Sequence, residues 1–325
     1  MEVFSNALLS AAEEMGALLI RTAYSTNIKE RQDASTAIFD AQGRTIAQAE
    51  HIPIHLGALL SIVTSILKRY RREDLRPGDA FLANDAYHGG GTHLADVTVA
   101  SPVFHGRELV GFVANMGHWP DVGGIKPGAA MTEGCTEIYQ EGLRIPPMRI
   151  TRRGELDENL FSFILLNMRF AEDRPADLRA QLAANEVGIR RLQALCARYG
   201  VRGFRSLIEG VLDYNERCVR ARIRELPEGA WSFEDQLDDD GHDPEPVQIN
   251  TNNIPSLPAE ILESEYPIRV ERFALVPDSG GAGEYRGGLA TQKDFRMLAD
   301  TSFIAHADRH EFAPWAIGGA REGAP

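Results

Sequence analysis

Helical and strand-like patterns of apolar and polar positions alternate along the N-terminal part of the chain. Apolar side chains recur at helical spacing over residues 3–24, which predicts an amphipathic opening helix. Two alternating stretches, 34–39 and 44–48, are joined by a turn that ends in glycine and predict a β-hairpin. Helical spacing returns over 56–70, and a short apolar run at 80–83 predicts another strand.

A second predicted hairpin follows, with candidate metal ligands at its open end. Residues 96–104 and 108–115 have strand-like patterns and are joined by a tight turn. Because a hairpin returns on itself, the residues before its first strand lie near those after its second strand. Two His-x-x-Asp pairs occupy these positions: His93 with Asp96, and His118 with Asp121. The sequence therefore predicts that the two pairs are neighbours.

These pairs suit either a metal site or a polar cluster held by hydrogen bonds. Imidazole and carboxylate groups are common ligands of a divalent metal whose site stays open for catalysis. Asp96 is preferred as a ligand over Asp121, which could instead orient an imidazole. Asp33 stands at the mouth of the first hairpin and could add an oxygen ligand. Zn, Mn and Fe(II) all fit such a set, and the spacing does not choose among them.

Further polar residues could face the same cleft. His51 and His55 flank a proline before a predicted helix, and capping or surface histidines are the alternative interpretation. Asn84, Asp85 and His88 lie on the loop that leads into the first His-x-x-Asp pair. They could bind substrate, or they could only form the turn.

Helical patterns dominate the middle of the chain. Residues 160–170 are strongly apolar. Pro175 suits the first turn of a long helix over 175–199, and Gly200 is its natural end. A further helix is predicted over 204–224.

Weaker strand-like patterns complete the chain and lie at 138–145, 231–237, 268–276 and 303–307. Residues 242–258 are rich in Pro and Asn without periodicity, which is typical of a boundary. We therefore expect an α+β fold in three regions. These are a β-rich metal-bearing region (1–150), a mainly helical region with a closing strand (151–246), and a short β-rich C-terminal segment (247–325).

Composition excludes several classes of protein. The 325 residues carry a formal net charge of -13, whereas nucleic-acid binders present basic surfaces. No apolar run looks long enough to span a bilayer and no signal sequence is evident, so we expect a cytoplasmic location and no membrane contact. The three cysteines are odd in number and lack CxxC spacing, which argues against a disulfide framework and a thiolate metal site.

The glycine-rich segment 280–288 invites comparison with a phosphate-binding loop. It lacks the Gly-Lys-Ser/Thr ending of such loops and does not open an evident helix, so a structural turn is favoured. We therefore expect that this chain does not itself bind ATP.

Several runs of the sequence resemble the hydantoinase B/oxoprolinase family. They are IKERQDASTAIFDAQG, HIPIHLGAL, PGDAFLANDAYHGGGTHLADVTVASPVF, VANMGHWPDVGG, LLNMRFAEDRPADLRAQLAAN and DSGGAGEYRGGL. This family includes B subunits of ATP-dependent hydantoinases, 5-oxoprolinase, caprolactamase and the alpha subunit of acetone carboxylase. The resemblance extends over nearly the whole chain.

The resemblance implies a division of labour between two proteins. An A-type subunit binds ATP and phosphorylates a cyclic amide, and the B-type subunit holds a divalent metal, Zn, Mn or Fe. Carried over by motif, the metal ligands are Asp33, His93, Asp96 and His118. Asp121 then orients ligands or, like His55, carries a proton.

Three functions are compatible with this resemblance. We expect a B-type subunit of a cyclic amide hydrolase of the hydantoinase or 5-oxoprolinase type, active in a hetero-oligomer with its A-type partner. An acetone carboxylase-like alpha subunit and a non-catalytic scaffold of the same complex are the alternatives.

The chain departs from the family pattern in two places. Residues 247–249 meet 250–253 directly, where relatives have a long further stretch, and the chain stops soon after Gly319, where relatives continue. We therefore expect an internally shortened or truncated member. The proposed ligands lie upstream of both places, so the metal prediction is less affected than the prediction of activity.

Overall fold

The computed structural model describes residues 1–49, 51–128, 135–230, 232, 256–283, 288–300, 313, 319 and 321–322. The chain divides into two compact units. The first comprises Met1–Pro227 with Asn250–Pro255, and the second comprises Glu228–Ile249 with Ser256–Pro325. Each unit is described by itself.

An antiparallel seven-stranded sheet forms the centre of the first unit, in the order β2-β1-β5-β4-β3-β6-β7. In chain order the strands are β1 (Ala34–Asp40), β2 (Thr45–Gln48), β3 (Ala80–Ala83), β4 (Asp96–His105), β5 (Glu108–His118), β6 (Met148–Arg152) and β7 (Glu155–Leu156). The predicted second hairpin forms its middle, with Asp96 of β4 directly opposite His118 of β5.

Six helices accompany this sheet in the described part of the first unit. They are α1 (Glu2–Thr22), α2 (Thr26–Lys29), α3 (Pro53–Ala58), α4 (Ile62–Arg69), α5 (Glu158–Leu166) and α6 (Arg174–Ile223). Single 3-10 turns lie at Leu59–Ser61, Arg72–Asp74, Ile138–Gln140 and Ala171–Asp173. Gly200, the predicted helix end, interrupts α6 with a non-helical backbone at φ 68°.

The sheet is covered on both faces. All seven residues of β1 are buried, as expected for a strand with apolar packing on each side. Ile38 shares a core with Leu8 of α1, whereas the next residue, Phe39, shares a second core with Ile62 of α4. Successive side chains of a strand point to opposite faces, which explains this division.

Polar side chains fix α6 over the middle strands. Asn115 of β5 donates to the Gln181 carbonyl at 2.7 Å and to Asn185 Oδ1 at 2.8 Å. In return, Gln181 Nε2 donates to the Val97 carbonyl at 2.8 Å and Asn185 Nδ2 to the Val99 carbonyl at 3.0 Å. All three polar side chains are buried, so these bonds specify the helix position as well as stabilising it.

The second unit contains one described helix and one described hairpin. Helix α7 spans Ala259–Glu265, and strands β8 (Ile268–Leu275) and β9 (Thr291–Met297) pair antiparallel. The predicted strand at 268–276 corresponds to β8. Those at 231–237 and 303–307 lie outside the described residues, apart from residue 232.

The α+β fold class is confirmed. The strand expected at 138–145 is wrong: a 3-10 turn occupies Ile138–Gln140, and no strand follows before β6 in this described stretch. The three-region division remains a prediction, although Leu178 of α6 shares one core with Leu8 and Val97.

One expectation about apolar length needs correction. Within the described residues, α1 is a helix whose length and apolar character would suffice to cross a membrane. In the structure its side chains Leu8, Met15 and Leu19 are buried in the core of the first unit. Packing against the sheet and α6 therefore accounts for its apolar face.

Candidate metal centre

The backbone brings three strand ends together. Asp96 opens β4 opposite His118, which closes β5, and the His118 amide donates to the Asp33 carbonyl at 3.0 Å. The Asp96 amide donates to the His93 carbonyl at 3.1 Å, which closes a tight turn before β4. Local turn and strand geometry thus delivers all four predicted metal ligands to one end of the sheet.

Three of these side chains form a compact group. One ligand atom each from His93, Asp96 and His118 lies within 4.8 Å of the other two. The rings of His93 and His118 have centroids 5.0 Å apart. His93 Nε2 is 3.4 Å from Asp96 Oδ1. A divalent cation between them would meet two imidazoles and a carboxylate, a donor set that suits Zn, Mn or Fe(II).

His55 and Asp33 complete the polar wall around this group. His55 Nε2 lies 3.3 Å from Asp96 Oδ1 and 3.6 Å from Asp33 Oδ1. Both residues are buried, with His55 reaching the site from α3. The structure therefore places His55 between the two carboxylates.

Asp96 provides the test of whether a cation fits. Its Oδ2 accepts a hydrogen bond from Thr92 Oγ1 at 2.6 Å. Its Oδ1 is fully buried and has only the ion-pair contacts to His55 and His93, at 3.3 and 3.4 Å, without a well-formed hydrogen bond among the described residues. A buried carboxylate oxygen without a well-formed hydrogen bond carries a desolvation cost. That oxygen faces both His93 and His55, so a bound cation would satisfy it.

Neighbouring polar groups orient the imidazoles. Asn27 Nδ2 lies 3.0 Å from His118 Nδ1, and Ser35 Oγ lies 3.2 Å from His55 Nδ1. Ser35 Oγ also accepts the amide of Ile52 at 3.3 Å. Each contact at Nδ1 leaves Nε2 of the same ring to face the site.

Glycines let the loop after β3 pack against the acidic residues. A Cβ at Gly91 would lie 2.5 Å from Asp96 Cβ and 2.6 Å from its carbonyl oxygen. A Cβ at Gly90 would overlap the backbone between Asn84 and Asp85. The loop that carries Thr92 and His93 can approach β4 so closely only because these positions lack a side chain.

Burial and neighbouring charges shift the pKa values of Asp96, His93 and His118 in different directions. Burial alone would raise the pKa of Asp96, but His93 and His55 lower it well below the usual range. Burial opposes protonation of His93, yet the carboxylate of Asp96 raises its pKa to about 9. Burial, reinforced by the positive charge of His93, lowers the pKa of His118 to about 3. His118 is therefore a neutral imidazole at physiological pH.

The pKa values of Asp33 and His55 depend on burial and on the same neighbouring charges. Burial raises the pKa of Asp33, partly offset by His55. Burial opposes protonation of His55, but Asp96 and Asp33 together raise its pKa. His55 thus favours holding a proton between two carboxylates in the absence of a cation.

His51, the other histidine of the predicted His51/His55 cluster, packs against α1. Its half-buried ring sits over Gly16 of α1, where a Cβ would overlap its Nε2. Burial, together with the charge of His55, lowers the pKa of His51.

Asn84 holds loops in place. Its Nδ2 donates to the carbonyls of Leu94 and Leu143 at 2.8 and 2.9 Å, and its Oδ1 accepts the Ile145 amide at 2.7 Å. Asn84 itself is fully buried. A substrate-binding role for Asn84 stays a prediction, and these bonds are sufficient to explain its burial.

Asp85 and His88 form a polar cluster with Arg144. Asp85 Oδ2 accepts from Arg144 Nε at 2.5 Å, and Asp85 Oδ1 lies 2.8 Å from His88 Nδ1. The His88 side chain is 63% exposed, and the Arg144 guanidinium lies between the exposed rings of Tyr87 and Tyr139. Within this cluster, His88 and Arg144 are the groups that a solute can reach.

Asp121 anchors a glycine-rich loop. Its carboxylate accepts from the amides of Gly123, Gly128 and Arg169 at 2.8, 3.1 and 2.9 Å, and from Arg169 Nη1 at 3.2 Å. These described contacts lie in the loop after β5 and in the segment that follows α5, whereas none of them joins Asp121 to an imidazole. Its proton-carrying role therefore stays a prediction without a contact to support it.

The sequence-based reasoning missed Asn27, Ser35 and Thr92. Each supports a predicted ligand or His55 through a side-chain contact. Thr92 is adjacent to His93 in the chain, so a hydroxyl beside a candidate ligand was an available signal. Asn27 and Ser35 carried no such signal, because their contacts depend on how α2 and β1 pack against β5 and α3.

Comparison with known proteins agrees with this architecture. The family model for hydantoinase B/oxoprolinase matches residues 1–252 and 239–325. The chain belongs to the hydantoinase B/oxoprolinase family. Its two matches meet at 239–252, which includes the junction where the sequence predicts an internal shortening.

Relatives in this family differ greatly in length. An uncharacterized protein of Methanocaldococcus jannaschii is 27% identical over 468 aligned positions, covering 100% of this chain and 83% of that protein. The alignment is longer than this chain, so that relative has internal residues that this chain lacks. The 5-oxoprolinase of Dictyostelium discoideum is 40% identical over 230 residues, covering 70% of this chain but only 18% of that protein. Caprolactamase subunit beta of Pseudomonas jessenii is 36% identical over 242 residues, covering 74% and 41%.

Solved structures share the fold. The ATP-dependent caprolactamase from Pseudomonas jessenii superposes with a TM-score of 0.64 at 36% identity, over 70% of this chain and 39% of that chain. A nucleotide-free acetone carboxylase has a TM-score of 0.64 at 18% identity, over 69% and 30%, which shows a common fold alone. The chain thus spans less than half the length of each of these two structures.

Proposed function

We propose that this chain is the B-type component of an ATP-dependent cyclic amide hydrolase of the hydantoinase or 5-oxoprolinase type. An A-type partner would bind ATP and phosphorylate the amide oxygen, and this chain would complete ring opening at a divalent metal. The family and the relatives named 5-oxoprolinase and caprolactamase subunit beta support the reaction class. The observation that carries the metal assignment is the convergence of His93, Asp96 and His118, with one ligand atom of each within 4.8 Å of the other two.

The chemistry explains why phosphorylation comes first. Resonance makes an amide a poor electrophile, and phosphorylation of its oxygen gives an imidate-like phosphate with a more reactive carbon. Water adds to that carbon, and the ring C–N bond breaks as a proton reaches the nitrogen. A second water then releases phosphate from the resulting acyl phosphate. A bound divalent metal would polarise the reacting oxygen and lower the pKa of water.

Residues of this chain have separate roles in the proposal. His93, Asp96, His118 and Asp33 hold the cation. His55 carries a proton at Nε2, where it faces both carboxylates, and Ser35 orients its ring from Nδ1. Proton delivery to the leaving nitrogen is the step that such a group can accelerate. His88, together with Arg144, would contact substrate, and the exposure of His88 and the partial exposure of Arg144 support this role.

His93→Ala tests the assignment. Metal content by elemental analysis should fall from about one ion per chain to near zero, because an imidazole ligand is lost. In the complex with the A-type partner, ATP-dependent opening of cyclic amides should fall at least a hundredfold, while ATP hydrolysis by the partner continues. His105→Ala, at the last residue of β4 and at the far end of the hairpin from the site, is the control and should retain both properties. Full turnover by His93→Ala would refute the proposal.

The same assay separates the two alternatives. A carboxylase alpha subunit would consume bicarbonate in step with ATP, whereas a hydrolase would not. A non-catalytic scaffold would assemble with its partner without stoichiometric metal. Purified complex tested with a panel of hydantoins, oxoproline and other lactams would also define the substrate.

A further inference from the structure

A second concave site lies at the far edge of the sheet. Its volume is about 760 Å³, and its charged lining is dominated by four arginines, Arg76, Arg149, Arg152 and Arg153. We call it the arginine cleft. Pockets of this size commonly hold small molecules, about 300–1,000 Å³ being typical.

The arginine cleft opens at the opposite end of β3 from the candidate metal centre. Strand β3 enters the sheet at Ala80, next to the turn that carries Arg76, and leaves at Ala83, just before Asn84 and Asp85. Because β6 runs antiparallel to β3, its last residue, Arg152, lies at the Ala80 end. The cleft is therefore a separate feature and does not extend the site around Asp96.

A buried carboxylate builds this cleft. Asp79 is almost completely buried, and its oxygens accept the amides of Arg76 at 3.0 Å and Arg153 at 3.1 Å. Arg153 and Gly154 both have positive φ, 54° and 89°, and form the tight turn between β6 and β7. Asp79 thus fixes the two turns that carry cleft arginines relative to each other.

Arg149 is held rigidly at the base of the cleft. Its Nε lies 3.5 Å from Asp79 Oδ2, and its Nη2 donates to the Asp74 carbonyl at 3.1 Å. The guanidinium stacks over the rings of Tyr70 and Phe81, with centroid distances of 5.1 and 5.5 Å. Its side chain is only 12% exposed. A guanidinium fixed in this way loses little conformational entropy when it binds an anion.

The other arginines leave positive charge at the opening. Arg152 and Arg153 are exposed, and neither forms an ion pair with the described residues. Two carboxylates, Asp74 and Glu155, also line the cleft and offset part of this charge. Four guanidinium groups face Asp74, Glu155 and the buried Asp79, so an excess of one positive charge remains, on a chain whose formal net charge is -13.

We propose that the arginine cleft binds a small ligand that carries a phosphate-type oxyanion of about diphosphate size. Planar guanidinium groups pair with two oxygens of such an anion at once, and a fixed guanidinium at the base with exposed ones around it favours a compact multivalent anion. An acidic peptide is the less suitable occupant, because the site is a single compact cleft and not an extended groove.

Titration with inorganic pyrophosphate tests this proposal. The full chain is stripped of metal by a chelator, the chelator is removed, and calorimetry follows binding at low and at physiological ionic strength. We expect saturable binding of one pyrophosphate per chain, weakened several-fold by added salt because the pairing is electrostatic. Absence of saturable binding at low salt would overturn the proposal.

Variants locate the binding. Arg152→Gln combined with Arg153→Asn should weaken pyrophosphate binding at least tenfold, and Asn tolerates the positive φ of position 153. Arg107→Ser, an exposed arginine in the turn between β4 and β5, is the matched control and should leave binding within twofold. Equal weakening of pyrophosphate binding in the double variant and in the control would mean non-specific attraction, and it would refute the assignment of the binding to the arginine cleft. Unchanged thermal unfolding of both variants verifies their fold.

Two further measurements identify the ligand and test whether the anion binds at the metal centre instead. His93→Ala should bind pyrophosphate as tightly as the parent chain, and loss of binding there would assign the anion to the metal centre and overturn the proposal. ADP in place of pyrophosphate then identifies the ligand class: tighter binding of ADP supports a nucleotide, and equal or weaker binding of ADP supports a free diphosphate. Binding of poly-glutamate with no binding of pyrophosphate or ADP would show a peptide site and refute it.

Discussion

At the scale of single residues, the protonation states around Asp96 decide what the site can bind. A divalent cation and the proton on His93 compete for the same ring, because a ligating imidazole must be neutral. His118 is already neutral, since its pKa is lowered to about 3. His93 therefore dominates the pH dependence expected of metal binding.

Metal affinity should rise with pH up to about pH 9. The pKa of His93 is raised to about 9, so below that pH metal binding must displace a proton. The apparent affinity should increase about tenfold per pH unit for each proton displaced. Competition titration of Zn²⁺ at pH 7 and pH 8 measures this slope. An affinity independent of pH over this interval would contradict the pairing of His93 with Asp96.

At the scale of elements, close packing of loops and helices holds these residues in place. The loop that carries His93 touches β4 through Gly91, and the corner between α1 and α2 is attached to α6 through Asp177. The Gly91 contact involves one candidate ligand, Asp96, and the Asp177 contact involves none. Substitutions at both contacts therefore test how the fold positions the candidate ligands, without removing a ligand itself.

Gly91→Ala should destabilise the fold by about 1–3 kcal/mol, the usual cost of overpacking. The added Cβ would meet Asp96 Cβ at 2.5 Å and would push the ligand out of place. Chemical denaturation gives the stability, and metal titration should show weaker binding. Gly57→Ala in α3 is the control, because no atom lies within 4 Å of its new Cβ. Equal stabilities for the two variants would contradict the described loop packing.

Asp177→Ala should cost about 3–5 kcal/mol, the typical result of removing one partner of a buried ion pair. Asp177 Oδ2 lies 2.9 Å from Arg174 Nη1, and its Oδ1 accepts the amides of Tyr24 and Ser25 at 2.9 and 3.0 Å. Denaturant unfolding measures the loss. Asp213→Ala, an exposed position on the same helix, should change stability by less than about 0.5 kcal/mol. A similarly small change for Asp177→Ala would contradict the prediction, because it would mean that losing Asp177 does not leave the buried charge of Arg174 without compensation.

At the scale of the whole molecule, the candidate metal centre joins segments that are far apart in the chain. Four of its residues come from separate elements: Asp33 directly before β1, His55 in α3, His93 in the loop after β3 and His118 at the end of β5. A cation that binds only the folded state stabilises it by mass action. The first unit should therefore unfold at lower temperature after metal removal.

Removal of bound metal should lower the unfolding temperature by several degrees. At a metal concentration of 1,000 times Kd, binding contributes about 4 kcal/mol to the free energy of unfolding. Differential scanning calorimetry with and without a chelator measures the shift, and re-addition of metal should restore it. His93→Ala is the control and should show no shift on chelation. An identical shift in that variant would mean that the chelator acts elsewhere.

Local sequence determined the elements of this protein and the polar residues that they present. The hairpin of β4 and β5 and the break at Gly200 follow from periodicity and turn stereochemistry, which depend on residues close together in the chain. The same hairpin geometry placed Asp96 and His118 opposite each other. The sequence motifs also led to the correct family.

Tertiary structure decided which polar groups meet and which are already occupied. His55 reaches the carboxylates, whereas Asp121 is bound by Arg169 and by loop amides. The side chain of Asn84 forms hydrogen bonds to three backbone groups, those of Leu94, Leu143 and Ile145, which lie 10 to 61 residues away in the chain. Such contacts depend on how helices and loops pack across the sheet, and packing energies are summed over many long-range neighbours that no local pattern encodes.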